Sequence, residues 1–239
     1  MISGKGGTGK TSLCAGLAAC LAMQGQRVLC IDLDVGLRNL DISLGMQEEA
    51  VLPFTSILRG EYTLENACPH PSQENLFLLT APVTEAPEDI DAEAFRAMIA
   101  QARGSFDRIL LDAPAGIGRL FRLACEACDE ALVVCLPDPA SQRDAARTAD
   151  LLLAEREAPV WLAVNRVSRK LFSAMRATVD DVMDCVGLPL LGIVPEDADV
   201  TLAAQKGMLL TQYTFEGAAL ACLHMAKRLS GEKAPLMKI

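Results

Sequence analysis

The sequence predicts a doubly wound α/β fold, a mainly parallel β-sheet flanked by helices on both faces. Short apolar runs alternate with longer helical patterns from one end of the chain to the other. Several of those short runs are apolar at almost every position, as strands covered on both faces must be. Of the 239 residues, 51% are hydrophobic but only 4% aromatic, so the core is mostly Ala, Leu, Val and Ile. That composition favours helix-on-sheet layers over an all-β sandwich.

In chain order, residues 1–3 read as the remnant of a first strand, followed by a glycine-rich loop and a helix over residues 11–24 that Gly25 stops. Strands are predicted at residues 27–32, 76–80, 108–112, 131–136, 160–165 and 190–194. Helices are predicted at residues 91–103, 119–128, 141–155, 173–186 and 215–229, with Gly187 closing the one before it. The rhythm implies right-handed crossovers. No repeat and no linker-like tract interrupts it, so residues 1–239 are expected to form a single domain. Ligands of such sheets bind beyond the carboxyl ends of the strands. Polar residues cluster there, at residues 3–11, 32–41, 112–117, 137–141, 165–166 and 195–197.

Composition narrows the function classes. A net charge of −9, from 31 acidic and 22 basic residues, argues against strong binding to nucleic acid or to an anionic membrane. The longest apolar stretch, residues 13–23, is too short to cross a bilayer, and no secretory h-region opens the chain. The nine cysteines sit mostly inside apolar runs and read as reduced, packed thiols, which points to a cytoplasmic protein. With only His70 and His224, a three-His metal site is excluded.

Gly4-Lys5-Gly6-Gly7-Thr8-Gly9-Lys10-Thr11, followed by Ser12, has the phosphate-loop spacing G-x-x-x-x-G-K-[ST]. The glycines let the backbone turn its N–H groups inward as an anion nest at a helix N-terminus. Lys10 is placed to reach the β- and γ-phosphates of ATP, and the Thr11 hydroxyl to ligate Mg²⁺. Lys5 is an addition to the general motif. From the start of the loop it cannot easily reach its own nucleotide, but it is free to act across an interface.

Lys-Gly-Gly-Thr-Gly-Lys-Thr with that extra lysine resembles the deviant Walker A motif of the ParA/MinD ATPase family. The segments Asp32-Leu33-Asp34-Val35-Gly36-Leu37-Arg38-Asn39-Leu40-Asp41, Asp112-Ala113-Pro114-Ala115-Gly116-Ile117 and Val194-Pro195-Glu196-Asp197 look like the switch I, Walker B/switch II and base-side loops of its MinD branch. The resemblance implies a P-loop fold and a switch that dimerises on Mg-ATP, hydrolyses it slowly to ADP and phosphate, and places the division site or another assembly. Lys5 matches the lysine that crosses the dimer interface. Lys10 and Thr11 match the phosphate lysine and the Mg²⁺ ligand. Asp34 matches the aspartate that positions the attacking water, Asp32 its neighbour near the metal, and Asp112 the Walker B carboxylate. Asn165 matches the asparagine on the adenine, and Pro195, Glu196 and Asp197 the loop beside the base. The resemblance also implies a protein activator or effector of the MinE or MinC kind. Arg38 and Arg166 are candidate interface residues.

The alternatives are a ParA-type or flagellar-placement ATPase and a nucleotide-regulated iron–sulfur carrier using Cys125 and Cys128. The acidic balance weighs against the plasmid version, and the apolar setting of the two cysteines makes packed thiols the better reading. The sequence departs from the family's pattern at both ends. Only Met1 and Ile2 precede the loop, so neighbouring strands are expected to lack some hydrogen bonds. Residues 231–239, with Pro235, are too short for an amphipathic membrane helix, so membrane binding by this chain alone is expected to be weak.

Overall fold

The computed structural model describes residues 1–49, 51–155 and 158–238. The strands are β1 (Val28–Asp32), β2 (Cys68–Pro69), β3 (Leu76–Leu79), β4 (Arg108–Asp112), β5 (Ala131–Cys135), β6 (Val160–Val167) and β7 (Leu190–Pro195). They lie in the orders β2-β3-β1-β4 and β5-β6-β7, parallel throughout except for the short antiparallel edge β2. Residues 1–3 join the halves. The Met1 amino group donates to the Leu111 carbonyl at 2.8 Å. The Ile2 N–H donates to Leu132 at 2.9 Å, and Val134 returns a bond to Ile2 at 2.8 Å.

Below that seam the sheet opens. β4 and β5 flank an opening of about 260 Å³ lined by Leu17, Leu21, Phe106, Ile109 and Leu132. Arg108, Ile109 and Leu110 are accordingly only half-buried, whereas every residue of β1 and β5 is buried.

The helices are α1 (Lys10–Met23), α2 (Leu40–Ser43), α3 (Phe54–Leu58), α4 (Ala92–Ala102), α5 (Arg119–Ala127), α6 (Pro139–Glu155), α7 (Arg169–Met175), α8 (Val179–Val186), α9 (Asp199–Gln205), α10 (Leu210–Tyr213) and α11 (Gly217–Leu229). α1 is apolar around nearly its whole circumference because it is packed between the sheet and α11. Small residues permit that packing. A methyl at Gly16 would come within 2.6 Å of the Cys222 sulfur, and one at Gly192 would collide with Met225.

Two expectations are corrected. The helix predicted over residues 173–186 is two helices, α7 and α8. Arg176 adopts the left-handed conformation at φ 51° and ends α7, while the Thr178 hydroxyl and the Asp181 carboxylate cap the start of α8. The strand expected to end at residue 165 runs to Val167, so Asn165 lies within β6 rather than after it.

Candidate functional site

The loop of residues 4–11 leaves the Met1–Ser3 segment and enters α1, which places it at the seam between the two half-sheets. Gly7 and Gly9 have φ of 77° and 81°, left-handed values that glycine adopts without penalty. At Gly9 a side chain is doubly excluded, since a Cβ there would collide with the Asn165 amide. The first N–H groups of α1 have no partner within the helix, which makes the loop's end a ready anion site. Thr8, Lys10 and Ser3 are buried, while Gly6 and Gly7 are exposed.

Behind the loop, β1 and β4 end in register, bringing Asp32 beside Asp112. The Lys10 ammonium donates to Asp112 Oδ1 at 2.6 Å in a buried pair. Asp112 Oδ2 is buried and has no hydrogen-bond partner among the described residues. Asp34 is close enough to sense both charges. Burial raises its pKa and the Asp112 charge adds to that, while Lys10 opposes it. Asp34 and Asp112 thus share Lys10, and the unsatisfied Asp112 oxygen is a donor of the kind a hard divalent cation takes. Thr11 is half-buried in the first turn of α1.

Asp32 is held by backbone N–H groups. Its carboxylate accepts the backbone N–H groups of Asp34 at 2.9 Å and of Asn39 and Leu40 at 3.1 Å each. The residue is wholly buried, and burial pushes its pKa up to about 6 against the lowering effect of those bonds. Asp32 folds the segment from Asp34 to Leu40 around itself through those three N–H groups.

Asn165 likewise bonds backbone groups. Its side-chain N–H donates to the Thr8 carbonyl at 2.7 Å, and its oxygen accepts from Arg166 N–H at 2.9 Å. It braces the phosphate loop from β6. Together with Gly9, Ser12, Pro195, Glu196 and Asp197 it lines a cleft of about 560 Å³ beside the loop. Asp197 is committed as well: it accepts from Asp199 N–H at 2.9 Å and Ala218 N–H at 2.8 Å, capping the turns into α9 and α11. The cleft wall is therefore largely backbone and apolar side chain, with Asp197 fixing its shape.

Two partners escaped the sequence reading. Asp138 pairs with Lys5, and Asp41 holds Arg38 at 2.8 Å. Residues 137–141 read in the sequence only as a polar strand end, and nothing in their spacing singles out Asp138. Arg166, at φ 53°, shares the cleft wall. The Cys128 sulfur lies 3.6 Å from the Cys125 carbonyl on α5, remote from this cleft in sequence and lining none of it. No helix of the described residues is long and apolar enough to cross a membrane.

Residues 1–210 match the model of the CobQ/CobB/MinD/ParA nucleotide-binding domain. The chain belongs to that family. It is 36% identical, over 98% of its length and 90% of the relative's, to the septum site-determining protein MinD of Synechocystis. The MinC:MinD cell division protein complex of Aquifex aeolicus superposes with a TM-score of 0.91 at 33% identity, covering 99% of this chain and 96% of that one. The septum site-determining protein MinD of Pyrococcus horikoshii complexed with Mg-ADP does so at 0.83 and 28%, covering 95% and 93%. The family's P-loop ATPase fold and the doubly wound sheet expected from the sequence are thereby both in place.

Proposed function

We propose that this chain is a MinD-like ATPase acting in division-site placement, a switch that pairs with a second copy on Mg-ATP and separates after hydrolysis. The observation that carries the reading is the buried Lys10–Asp112 pair under an open phosphate loop, with Asp112 Oδ2 left unpartnered. Lys10 has a stand-in anion in Asp112 and exchanges it for the β- and γ-phosphate oxygens of the substrate. The exchange frees both Asp112 oxygens. Mg²⁺, held by Asp112 and the Thr11 hydroxyl, would neutralise charge on the phosphates.

Hydrolysis then needs a water oxygen in line with the γ-phosphorus; the new P–O bond forms as the bond to the β-phosphate oxygen breaks, giving ADP and inorganic phosphate. Asp34 supplies the orienting carboxylate. Asp32, through the Asp34 N–H, sets where that carboxylate stands. Asn165 keeps the loop closed over the phosphates and the Pro195–Asp197 loop receives the base. Lys5 reaches the partner's nucleotide once two copies face each other. The MinC complex of the Aquifex relative supports a protein effector of that kind for this chain too.

Calorimetry with Mg-ATP and a phosphate-release assay test the reading together. Lys10→Ala is expected to lower affinity at least tenfold and to abolish turnover, since a buried charge contact is lost. A Lys10→Ala protein that hydrolyses ATP at the parent rate would overturn the enzyme assignment.

A further inference from the structure

Lys5, which the motif leaves pointing away from its own phosphate loop, is not idle in the isolated chain. Its ammonium lies 3.2 and 3.3 Å from the two carboxylate oxygens of Asp138. Asp138 sits in the connection between β5 and α6, where its Oδ1 also accepts the Ser141 N–H at 2.9 Å. That connection is a firm platform. Ser141 Oγ accepts the Leu136 N–H at 2.9 Å, and a methyl at Gly4 would press to 2.6 Å against the Asp144 carbonyl oxygen. The entrance of the phosphate loop is thus packed on α6, and the Lys5 side chain is laid along the same face. On the lysine's own side, the Ser3 hydroxyl holds the Lys5 carbonyl at 3.0 Å.

We infer that Asp138 is a positioning residue that parks Lys5 on its own subunit, so that pairing of two Mg-ATP-loaded copies must first draw Lys5 off it. The inference rests on the reading of Lys5 as the lysine that crosses the interface. Both anions, the Asp138 carboxylate and the partner's phosphates, compete for one ammonium. Mg-ATP wins because the phosphates carry more charge and are met in a site that excludes water as the copies close. Because Lys5 leaves Asp138 only when the copies close, Asp138 sets the protein concentration at which pairing begins. Both side chains remain partly exposed, 32% and 42%, so the hold is modest and sensitive to salt.

Asp138→Asn and Asp138→Ser each keep an oxygen for the Ser141 N–H and remove the charge. With a slowly hydrolysed Mg-ATP analogue, sedimentation velocity is expected to find both variants dimerising at about two- to fivefold lower protein concentration than the parent. The gap should close at about 0.5 M salt, where such pairs are screened. Mg-ATP affinity of the dilute monomer should stay at the parent value, which a variant that had merely lost its fold would not manage. An unchanged or higher dimerisation midpoint in both variants overturns the parking role. Lys5→Ala separates the two readings. If it abolishes dimerisation while the Asp138 variants match the parent, only the parking role falls; if it dimerises as the parent does, the interface role of Lys5 falls and the inference with it.

Discussion

His70 shows how much a single ring can fix once it is buried. Its Nδ1 accepts the N–H groups of Ser72 and Gln73, each at 3.1 Å, so the ring proton must sit on Nε2, which donates to the Leu44 carbonyl at 2.8 Å. The loop before β3 is thereby tied to the end of α2, the short helix that closes switch I. Protonating Nδ1 would set a third N–H against two others. Burial lowers the His70 pKa, with the Leu44 bond and the Glu49 charge opposing it. The folded-state value therefore lies below that of the unfolded chain, which is about 6.5. The unfolded state binds more protons in the interval between, so this stabilisation is complete above pH ~6.5 and is lost as pH falls. Urea unfolding between pH 7.5 and pH 5 is expected to find a steeper loss for the parent than for His70→Gln. His224, also lowered, remains in both proteins and cancels. Parallel pH profiles would show that the ring proton plays no such part.

Elements are where the sequence spoke most clearly and where its silence has a physical cause. β1, with Val28, Leu29, Cys30 and Ile31 all buried, could be read from four consecutive apolar residues, and α1 from its glycine-bounded Ala/Leu run. α2, α3 and α10 could not, because helices of four or five residues draw their order from tertiary packing rather than from period. The break between α7 and α8 was written in Thr178-x-x-Asp181, a capping signal that the apolar period of the same stretch overrides at first sight. The site divides along the same line. Gly4 to Thr11 announce themselves by local spacing, but the contacts of Asp32 and Asn165 are to backbone groups that folding delivers; the Asn165 amide meets the Thr8 carbonyl across 157 residues. Packing of α11 on β7 offers a test at this scale. Gly192 faces Met225 with no room for a methyl, so Gly192→Ala is expected to cost about 1–3 kcal/mol in urea unfolding. Adding Met225→Ala should recover part of that loss. Strict additivity of the two costs would mean the contact is not what the glycine protects.

The molecule as a whole is two half-sheets stitched by Met1 and Ile2, and the nucleotide cleft straddles the stitch. Asp112 ends a strand of one half; Asn165 and the Pro195–Asp197 loop belong to the other. Lys10 starts α1, which packs on β1, β3 and β4 of one half and on α11, the helix that covers β7 of the other. Below the seam the opening between β4 and β5 leaves Ile109 and Leu110 half-buried at what should be the driest part of the sheet. Few hydrogen bonds cross there, so the seam is the place where local opening should begin. A nucleotide gripped by the phosphate loop, with its metal on the Asp112 side and its base on the β7 side, would tie the halves together at their upper ends. At one hundred times its Kd, a ligand bound only by the folded state contributes about 2.7 kcal/mol. For a chain of this size that corresponds to roughly 5–10 °C in Tm. Mg-ADP is expected to raise Tm by that much and to slow amide exchange in β4 and β5 together, although neither strand interior touches the cleft. Protection confined to the phosphate loop and β4, with β5 exchanging as fast as before, would mean that the halves move independently and that the cleft does not clamp them.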